Sequence, residues 1–199
     1  SSEIYGDPDP DQIPTSEEYN GSVSCTGPRA CYDESKRFGE TLCINFAQQH
    51  DLPIKIARPF NNYGPGLKIN DTRALPDFAK NVLDGNDIVL LSDGSPTRTF
   101  CYITDAMIGF LKVILIGKPG TIYNIGNPKN EISMIKLVKI FDKLLKSKNA
   151  YKLINYPKHD PADEPKRRCP DVSLSNKHLR YFPKVSVEEG ITRTLKFNK

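Results

Sequence analysis

Residues 52–66 read LPIKIARPFNNYGPG, a short apolar segment that runs into a polar loop broken by proline and glycine. The apolar part, Leu52–Ala57, predicts a β-strand, and residues 58–72 predict a loop. Helical patterns flank this stretch over residues 31–50 and 73–83. Because helices alternate with short apolar strands, the sequence predicts an α/β fold. In such folds the loops that follow the strands build the functional site.

The same alternation continues to the end of the chain. Residues 7–30 are rich in proline, glycine, serine and aspartate and predict a long loop. The pattern Ser186-x-x-Glu189 is a capping box, which predicts the start of a last helix. The other predicted elements are strands over Ile88–Leu91, Thr99–Ile103 and Ile122–Ile125, and helices over Asp105–Ile116 and Ser133–Ser147.

Composition excludes several classes of protein. The 199 residues carry a formal net charge of +4 with the basic residues spread along the chain, so no nucleic-acid partner is expected. The longest apolar run, Met107–Ile116, contains a lysine and is much shorter than the ~20 residues of a membrane-spanning helix, so no membrane partner is expected. Five cysteines without C-x-x-C spacing predict neither a metal site nor a disulfide framework. Reduced thiols favour a cytoplasmic location.

The strongest chemical signal is the pair Tyr32 and Lys36 on the first predicted helix. Side chains four residues apart lie on one face of a helix. A free tyrosine has a pKa near ~10, and a neighbouring ammonium lowers that pKa by favouring the phenolate. The pair is therefore a candidate proton shuttle for the oxidation of an alcohol. Taken alone, the pair is a weak signal, because a tyrosine and a lysine with this spacing occur often by chance on helix surfaces.

Five other segments of distinctive composition accompany this pair. They are SSEIYG at 1–6, RPFNNYGP at 58–65, TRTFCYITD at 97–105, YNIGNP at 123–128 and RRCPD at 167–171. In order and spacing, these segments and the Tyr-x-x-x-Lys pair resemble the extended short-chain dehydrogenase/reductase family. That family comprises the NAD-dependent epimerases, dehydratases and decarboxylases of nucleotide sugars. The resemblance covers essentially all of the chain.

The resemblance implies a particular part of the family fold. The chain is expected to be the C-terminal part of a Rossmann-like doubly wound parallel sheet together with a small α/β substrate-binding domain. Residues 1–65 would supply strands and helices of the Rossmann domain. Residues 66–199 would form mainly the nucleotide-sugar-binding domain, with a return to the Rossmann sheet near 99–126. The 199 residues contain no G-x-G-x-x-G turn, so the Gly-rich N-terminal half is expected to lie outside them.

The catalytic residues follow from matching positions in the family. The resemblance implies that Tyr32 is the general base and that Lys36 lowers its pKa. It implies that Ser1 supplies a hydroxyl to the reacting alcohol. Glu3 follows Ser2, where related dehydratases carry Asp-Glu, and this Ser-Glu pair resembles the decarboxylases. Arg168 matches an arginine associated with the carboxylate of the sugar.

The binding residues follow in the same way. A guanidinium suits phosphate oxygens better than an ammonium does, which agrees with a diphosphate contact for Arg98. The implied substrate contacts are Asn61, Arg98 and Arg168, and the implied NAD contacts are Tyr32, Lys36, Asn62 and Arg73.

The resemblance therefore implies NAD-dependent decarboxylation of UDP-glucuronate, through a 4-keto intermediate, to UDP-xylose or the 4-keto-pentose. A nucleotide-sugar 4-epimerase or 4,6-dehydratase is the alternative within the family. A non-catalytic sugar-nucleotide-binding fragment is the alternative from another class, and the segment alone is expected to be inactive. The implied partners are a UDP-sugar and a second copy of the protein, contacted through the helix at 31–50.

Overall fold

The computed structural model describes residues 1–68, 71, 73–91, 93–145, 151–154 and 165–197. Within these residues the chain is a mixed α/β structure, as predicted. The helices are α1 Ala30–His50, α2 Ala74–Leu83, α3 Ile103–Ile116, α4 Met134–Leu145, α5 Ser173–Leu179 and α6 Val187–Phe197. The strands are β1 Ile56–Pro59, β2 Asn62–Tyr63, β3 Ile88–Leu91, β4 Thr97–Thr99, β5 Cys101–Tyr102, β6 Ile122–Ile125, β7 Glu131–Ser133, β8 Tyr151–Ile154 and β9 Arg167–Arg168.

Most strand pairs are parallel and join distant parts of the chain. β1 pairs with β6, from Ile56 opposite Ile122 to Pro59 opposite Ile125. β2 pairs with β5 and β3 pairs with β8, also in parallel. β4 is the middle strand of three, antiparallel to β7 and parallel to β9. Parallel pairs joined by helical crossovers are the pattern expected of an α/β fold.

Two predicted strands have different bounds in the structure. The strand expected over Leu52–Ala57 is β1, which starts only at Ile56. Helix α1 ends at a left-handed Asp51, and the N–H of Ile54 donates to Leu52 O at 2.8 Å, so the chain is still turning there. The strand expected over Thr99–Ile103 is divided into β4 and β5. It breaks at Phe100, whose N–H donates to Asn130 O instead of to a strand partner.

The helices agree more closely with the prediction. The helix expected from Asp105 starts at Ile103, two residues earlier. The helix expected over Ser133–Ser147 starts at Met134 and ends at Leu145, and residues 146–147 lie outside the described residues. The capping box is confirmed, because Ser186 Oγ accepts a hydrogen bond from Glu189 N at 3.2 Å.

Two apolar clusters hold the elements together. The larger one lies between α2, α4, α6 and the strands beside them, and its centre includes Leu137, Val138, Phe141 and Ile191, all fully buried. The smaller one fixes α3 and α5 against β6. Burial of apolar surface is the main source of stability in such a core. The two clusters therefore define the framework on which the polar loops stand.

A buried polar network fixes α1 against the strands. Arg58 on β1 donates from Nε and Nη2 to Glu40 on α1, at 3.0 and 2.7 Å. Its Nη1 donates to Tyr5 Oη at 2.7 Å, and Tyr5 Oη donates to Asn124 Oδ1 on β6 at 2.8 Å. Because each of these contacts is directional, the network sets the position of α1 relative to β1 and β6.

Two helices carry apolar side chains that are exposed. On α1, Phe38, Leu42 and Phe46 are each about half exposed or more, at intervals of four residues. On α3 the exposed apolar residues include Ile114 and Leu115. None of the described helices has the length and hydropathy needed to span a bilayer.

Candidate active site

A cleft of about 950 Å³ opens beside the start of α1. Nearly all of the residues that the sequence singled out line it, although they come from six separate segments of the chain. Lys36 is the exception and lies one helical turn further along α1. The predicted site residues on the cleft wall are Ser1, Glu3, Tyr32, Asn61, Asn62, Arg73, Arg98 and Arg168.

Tyr32 and Lys36 lie on the same face of α1, as their spacing predicts. The Lys36 Nζ is 5.1 Å from the centre of the Tyr32 ring. Tyr32 lies in the first turn of the helix and is 51% exposed, so its phenol is accessible from the cleft. An ammonium that close to an aromatic ring is a favourable cation–π contact. The two side chains predicted to lie on one face of α1 are therefore in contact.

Ser1 immediately precedes a short 3₁₀ helix, Ser2–Tyr5, which carries Glu3 and packs beside α1. Ser1 caps this helix, and its Oγ accepts a hydrogen bond from Glu3 N at 3.3 Å. The helix is held by its apolar residues, since Ile4 and Tyr5 are buried against Phe60. The same turn therefore presents both a hydroxyl and a carboxylate to the cleft.

The Glu3 carboxylate lies between two guanidinium groups. Arg168 Nη1 donates to Glu3 Oε1, and Arg29 Nη2 donates to Glu3 Oε2. Burial alone would raise the pKa of Glu3, but the charges and hydrogen bonds of Arg168 and Arg29 hold that pKa below its ordinary value. Glu3 is therefore an anion at neutral pH.

Arg168 is fixed by the backbone as well as by Glu3. Its side chain is 4% exposed, and Nε and Nη2 donate to Gly6 O at 3.3 and 3.2 Å. Strand pairing places Arg168 directly opposite Arg98, whose Nη1 donates to Thr97 O at 2.9 Å. Burial lowers the pKa of Arg168, and Arg98 and Arg29 lower it further. The cleft thus concentrates positive charge, which suits an anionic ligand.

The remaining predicted residues lie on the opposite wall and at the rim. Asn61 has a left-handed backbone (φ 37°) and donates from Nδ2 to Thr99 O at 3.1 Å. The Oδ1 of Asn62 is buried and accepts no hydrogen bond from the described residues. Arg73 is mostly exposed and pairs with Asp71 at 2.6 Å, so it stands at the rim.

Sequence reasoning missed Arg29 and Asp33. Arg29 immediately precedes α1, lines the cleft and contacts Glu3. Asp33 is 5% exposed, and its Oδ2 lies 3.7 Å from Arg29 Nε. The available signal was the arginine and aspartate four residues apart around Tyr32, a spacing that places them on one helix face.

Comparison with known proteins identifies the family. The model of the NAD dependent epimerase/dehydratase family matches residues 1–126. UDP-glucuronic acid decarboxylase 6 of Arabidopsis thaliana is 38% identical over 96% of this chain and 53% of its own length. UDP-glucuronic acid decarboxylase 1 of Xenopus tropicalis is 34% identical over 99% of this chain and 45% of its own. The chain thus spans about half the length of the curated relatives it matches.

A solved structure shows the same fold. The UDP-glucuronic acid 4-epimerase of Bacillus cereus, in complex with UDP-glucuronic acid and NAD, superposes with a TM-score of 0.82 at 26% identity. The superposition covers 99% of this chain and 59% of that one. It confirms the predicted fold class, a part of a Rossmann-like α/β protein. On the family match and this likeness, the chain belongs to the NAD-dependent epimerase/dehydratase family.

Proposed function

We propose that this chain is the C-terminal part of an NAD-dependent enzyme that decarboxylates a UDP-sugar acid. The substrate would be UDP-glucuronate, and the product would be UDP-xylose or the 4-keto-pentose. One observation carries the proposal: Glu3, ionised between Arg168 and Arg29, shares a cleft with Tyr32. The relatives named UDP-glucuronic acid decarboxylase support it.

The first step is removal of a proton from the C4 hydroxyl of the sugar. Tyr32 is the base, because its phenol is exposed to the cleft and the ammonium of Lys36 lies beside its ring. Ser1 Oγ, on the adjacent turn, donates to the same sugar oxygen and orients it. When bound, NAD⁺ supplies the acceptor for the hydride from C4. The product of this step is a 4-ketone. Because the carboxylate is attached to the neighbouring carbon, C5, this product is a β-keto acid.

Loss of CO₂ from a β-keto acid needs stabilisation of the enolate that forms. The Tyr32 and Ser1 hydroxyls can donate to that oxygen. Glu3 is held as an anion, so it is unsuited to donate a proton itself at neutral pH. It can accept a hydrogen bond from a water that gives its proton to C5, and the hydroxide left behind takes a proton from solvent or combines with the released CO₂ as bicarbonate. Arg168 supplies positive charge on the side where the carboxylate would lie.

The residues present fit one end of the cofactor. Asn62 offers a buried acceptor that no described residue satisfies and that a nicotinamide nucleotide can satisfy with a donor. Tyr32, Lys36 and Arg73 would complete the contacts on this side. On the substrate side, Asn61 would contact the sugar, and Arg98 would bind the diphosphate.

A 4-epimerase is the second candidate. The Bacillus cereus structure that resembles this chain is a UDP-glucuronic acid 4-epimerase. Its reaction would use the same tyrosine but would leave the carboxylate in place, so Glu3 and Arg168 would have no evident task in it. A 4,6-dehydratase is disfavoured by Ser2, because the related dehydratases carry an aspartate in that position.

Product analysis distinguishes these reactions. The full-length protein that carries this segment is incubated with UDP-glucuronate and NAD⁺, and the nucleotide sugars are identified by mass and NMR. The proposal predicts a UDP-pentose or UDP-4-keto-pentose. UDP-galacturonate as the product would establish the epimerase instead. Glu3→Gln serves as a matched variant, which should slow pentose formation and leave binding of UDP-glucuronate intact.

We also propose that the protein is a homodimer that contacts its second copy through α1. The outer face of this helix presents Phe38, Leu42 and Phe46 at the four-residue spacing of an apolar stripe. The measurement is light scattering of wild type and Phe38→Asp. The variant is expected to dissociate, and dimers of unchanged stability would contradict the proposal.

The division of the chain remains a proposal as well. Residues 1–65 would belong to the Rossmann domain and 66–199 mainly to the sugar-nucleotide domain. The parallel pairing of β1 with β6 supports the return of the chain near 99–126.

The segment alone would be inactive, and its binding of NAD can be measured by tyrosine fluorescence. All five cysteines are free, which supports a cytoplasmic location.

A further inference from the structure

We infer that Arg29 is a positioning residue of this site, which holds the Glu3 carboxylate from the side opposite Arg168 and links it to the turn that carries Tyr32. This inference rests on the proposed function for its kinetic consequence. Its structural basis is a set of contacts around Glu3 that the sequence did not indicate.

The first observation is that the two oxygens of Glu3 are divided between two arginines. Oε1 accepts from Arg168, which is anchored to the backbone of Gly6. Oε2 accepts from Arg29, whose side chain is 30% exposed and forms part of the cleft wall. With Arg168 alone, the carboxylate could rotate about its last bond. Two charged donors on different sides fix its plane.

The second observation is that Arg29 belongs to the turn of Tyr32. The backbone O of Arg29 accepts from Tyr32 N and from Asp33 N, both at 3.0 Å. Its side chain points from the start of α1 to Glu3 on the adjacent 3₁₀ helix. A single residue therefore connects the proposed base to the proposed water-orienting carboxylate.

The third observation is that, within the described residues, Glu3 is the hydrogen-bond acceptor of the Arg29 side chain. In the described part of the chain its buried Nε has no hydrogen-bond acceptor and lies at ion-pair distance, 3.7 Å, from Asp33 Oδ2, while Asp33 Oδ1 has no donor there. Arg58, by contrast, donates from Nε, Nη1 and Nη2 to protein acceptors. Buried polar groups without partners are costly. Arg58 therefore connects elements of the fold, whereas the hydrogen bond of the Arg29 side chain goes to Glu3.

The charges that face Glu3 come from three elements. Arg29 and Asp33 approach from α1, and Arg168 approaches from β9 with Arg98 behind it on β4. Loss of Arg29 would leave Asp33 without its cation and Glu3 with a single one. Protonation of Glu3 would then occur at a higher pH, and its carboxylate would be less well oriented.

The test is a double-mutant cycle in the full-length protein with Arg29→Gln, Glu3→Gln and both together. If Arg29 acts through Glu3, Arg29→Gln lowers kcat about tenfold or more with KM changed less than about threefold, and adds almost nothing to Glu3→Gln. Arg29→Lys should recover part of kcat, because it keeps the charge. Arg193→Gln is the control, since Arg193 pairs with Glu189 on α6 away from the cleft. Multiplicative losses in the cycle, or an unchanged kcat in Arg29→Gln, would overturn the inference.

A second readout does not depend on turnover. Carboxyl ¹³C NMR of labelled glutamate gives the titration midpoint of Glu3 directly. We expect this midpoint to rise by about one pH unit in Arg29→Gln and to stay unchanged in Arg193→Gln. An unchanged midpoint in Arg29→Gln would overturn the inference even if wild type decarboxylates UDP-glucuronate. Conversely, a wild type that releases no CO₂ would contradict the proposed function alone, and the titration would still decide the role of Arg29.

Discussion

The Glu3 carboxylate accepts a hydrogen bond from the Arg168 guanidinium, although the two residues are 165 positions apart in the chain. The contact joins the 3₁₀ helix at the start of the chain to β9, the last strand. Both side chains are largely buried, with 14% and 4% of their surface exposed. Each partner of such a buried ion pair stabilises the other. If one is removed, the remaining charge stays buried without its main counter-ion.

Arg168→Met should therefore destabilise the protein. Removing one partner of a buried pair costs about 3 kcal/mol, because the other charge stays buried. The free energy of unfolding from denaturant titration of the full-length protein measures this loss. Arg167→Met is the control on the neighbouring position. Arg167 is 46% exposed where it pairs with Glu131, so its loss should cost less than about 1 kcal/mol. Equal losses of unfolding free energy in the two variants would contradict the claim that burial of Arg168 sets the cost of its removal.

The contribution of Glu3 to the free energy of unfolding should decrease at acidic pH. Its pKa in the folded protein lies below the ordinary value of 4.5, so its contribution is fully present above that value and is lost as the pH falls through the folded pKa. The difference in unfolding free energy between wild type and Glu3→Gln should be constant from pH 5 to 7 and should shrink below pH 4.5. A difference that grows on acidification would show that the folded pKa is raised instead.

Tyr5→Phe should weaken the network that positions α1. The Tyr5 hydroxyl donates to Asn124 and accepts from Arg58, so its removal takes the donor from Asn124 Oδ1 and leaves Arg58 Nη1 with Glu17 O as its remaining acceptor. The expected loss of unfolding free energy is about 1–3 kcal/mol. Burial raises the pKa of Tyr5 to about 12, so the loss should be the same at pH 6 and pH 9. Tyr151→Phe, at a partly exposed position on β8, should change stability by less than 0.5 kcal/mol, roughly the limit for surface substitutions. A neutral Tyr5→Phe would mean that the network does not constrain α1.

Tyr32→Phe should abolish turnover and leave the fold intact. A positioned acid–base group contributes about 10² to 10⁴ in rate, and the phenol of Tyr32 is exposed, so little packing is lost with it. The initial rate of CO₂ release by the full-length variant measures the effect, with the melting temperature as the control for folding. A loss of less than tenfold would exclude Tyr32 as the base.

Local patterns predicted the helices well because capping and apolar spacing act within a few residues. The capping box at Ser186 and the bounds of α1 and α2 are examples. The strands were less predictable, since their bounds depend on distant partners. β1 starts at Ile56 because it is there that its pairing with Ile122 begins. Strands as short as Arg167–Arg168 carry too little local pattern to be identified.

The candidate site shows the same difference between features set by local patterns and features set by distant residues. The spacing of Tyr32 and Lys36 predicted that their side chains lie on one face, because both residues belong to the same helix. The gathering of Glu3 and Arg168 in one cleft was expected only from the family resemblance. The contact of Arg29 with Glu3 was not expected at all, because the two residues are 26 positions apart in the chain and no periodic pattern links them.

The most direct test of the central claim follows the carboxylate of the sugar. The full-length protein is given NAD⁺ and UDP-glucuronate labelled with ¹³C at C6, and the label is followed by NMR. If the enzyme decarboxylates this substrate, the label appears as ¹³CO₂ and bicarbonate at a rate that equals loss of substrate, and it does not appear with Tyr32→Phe. Turnover of substrate with the label retained on the nucleotide sugar would contradict this claim.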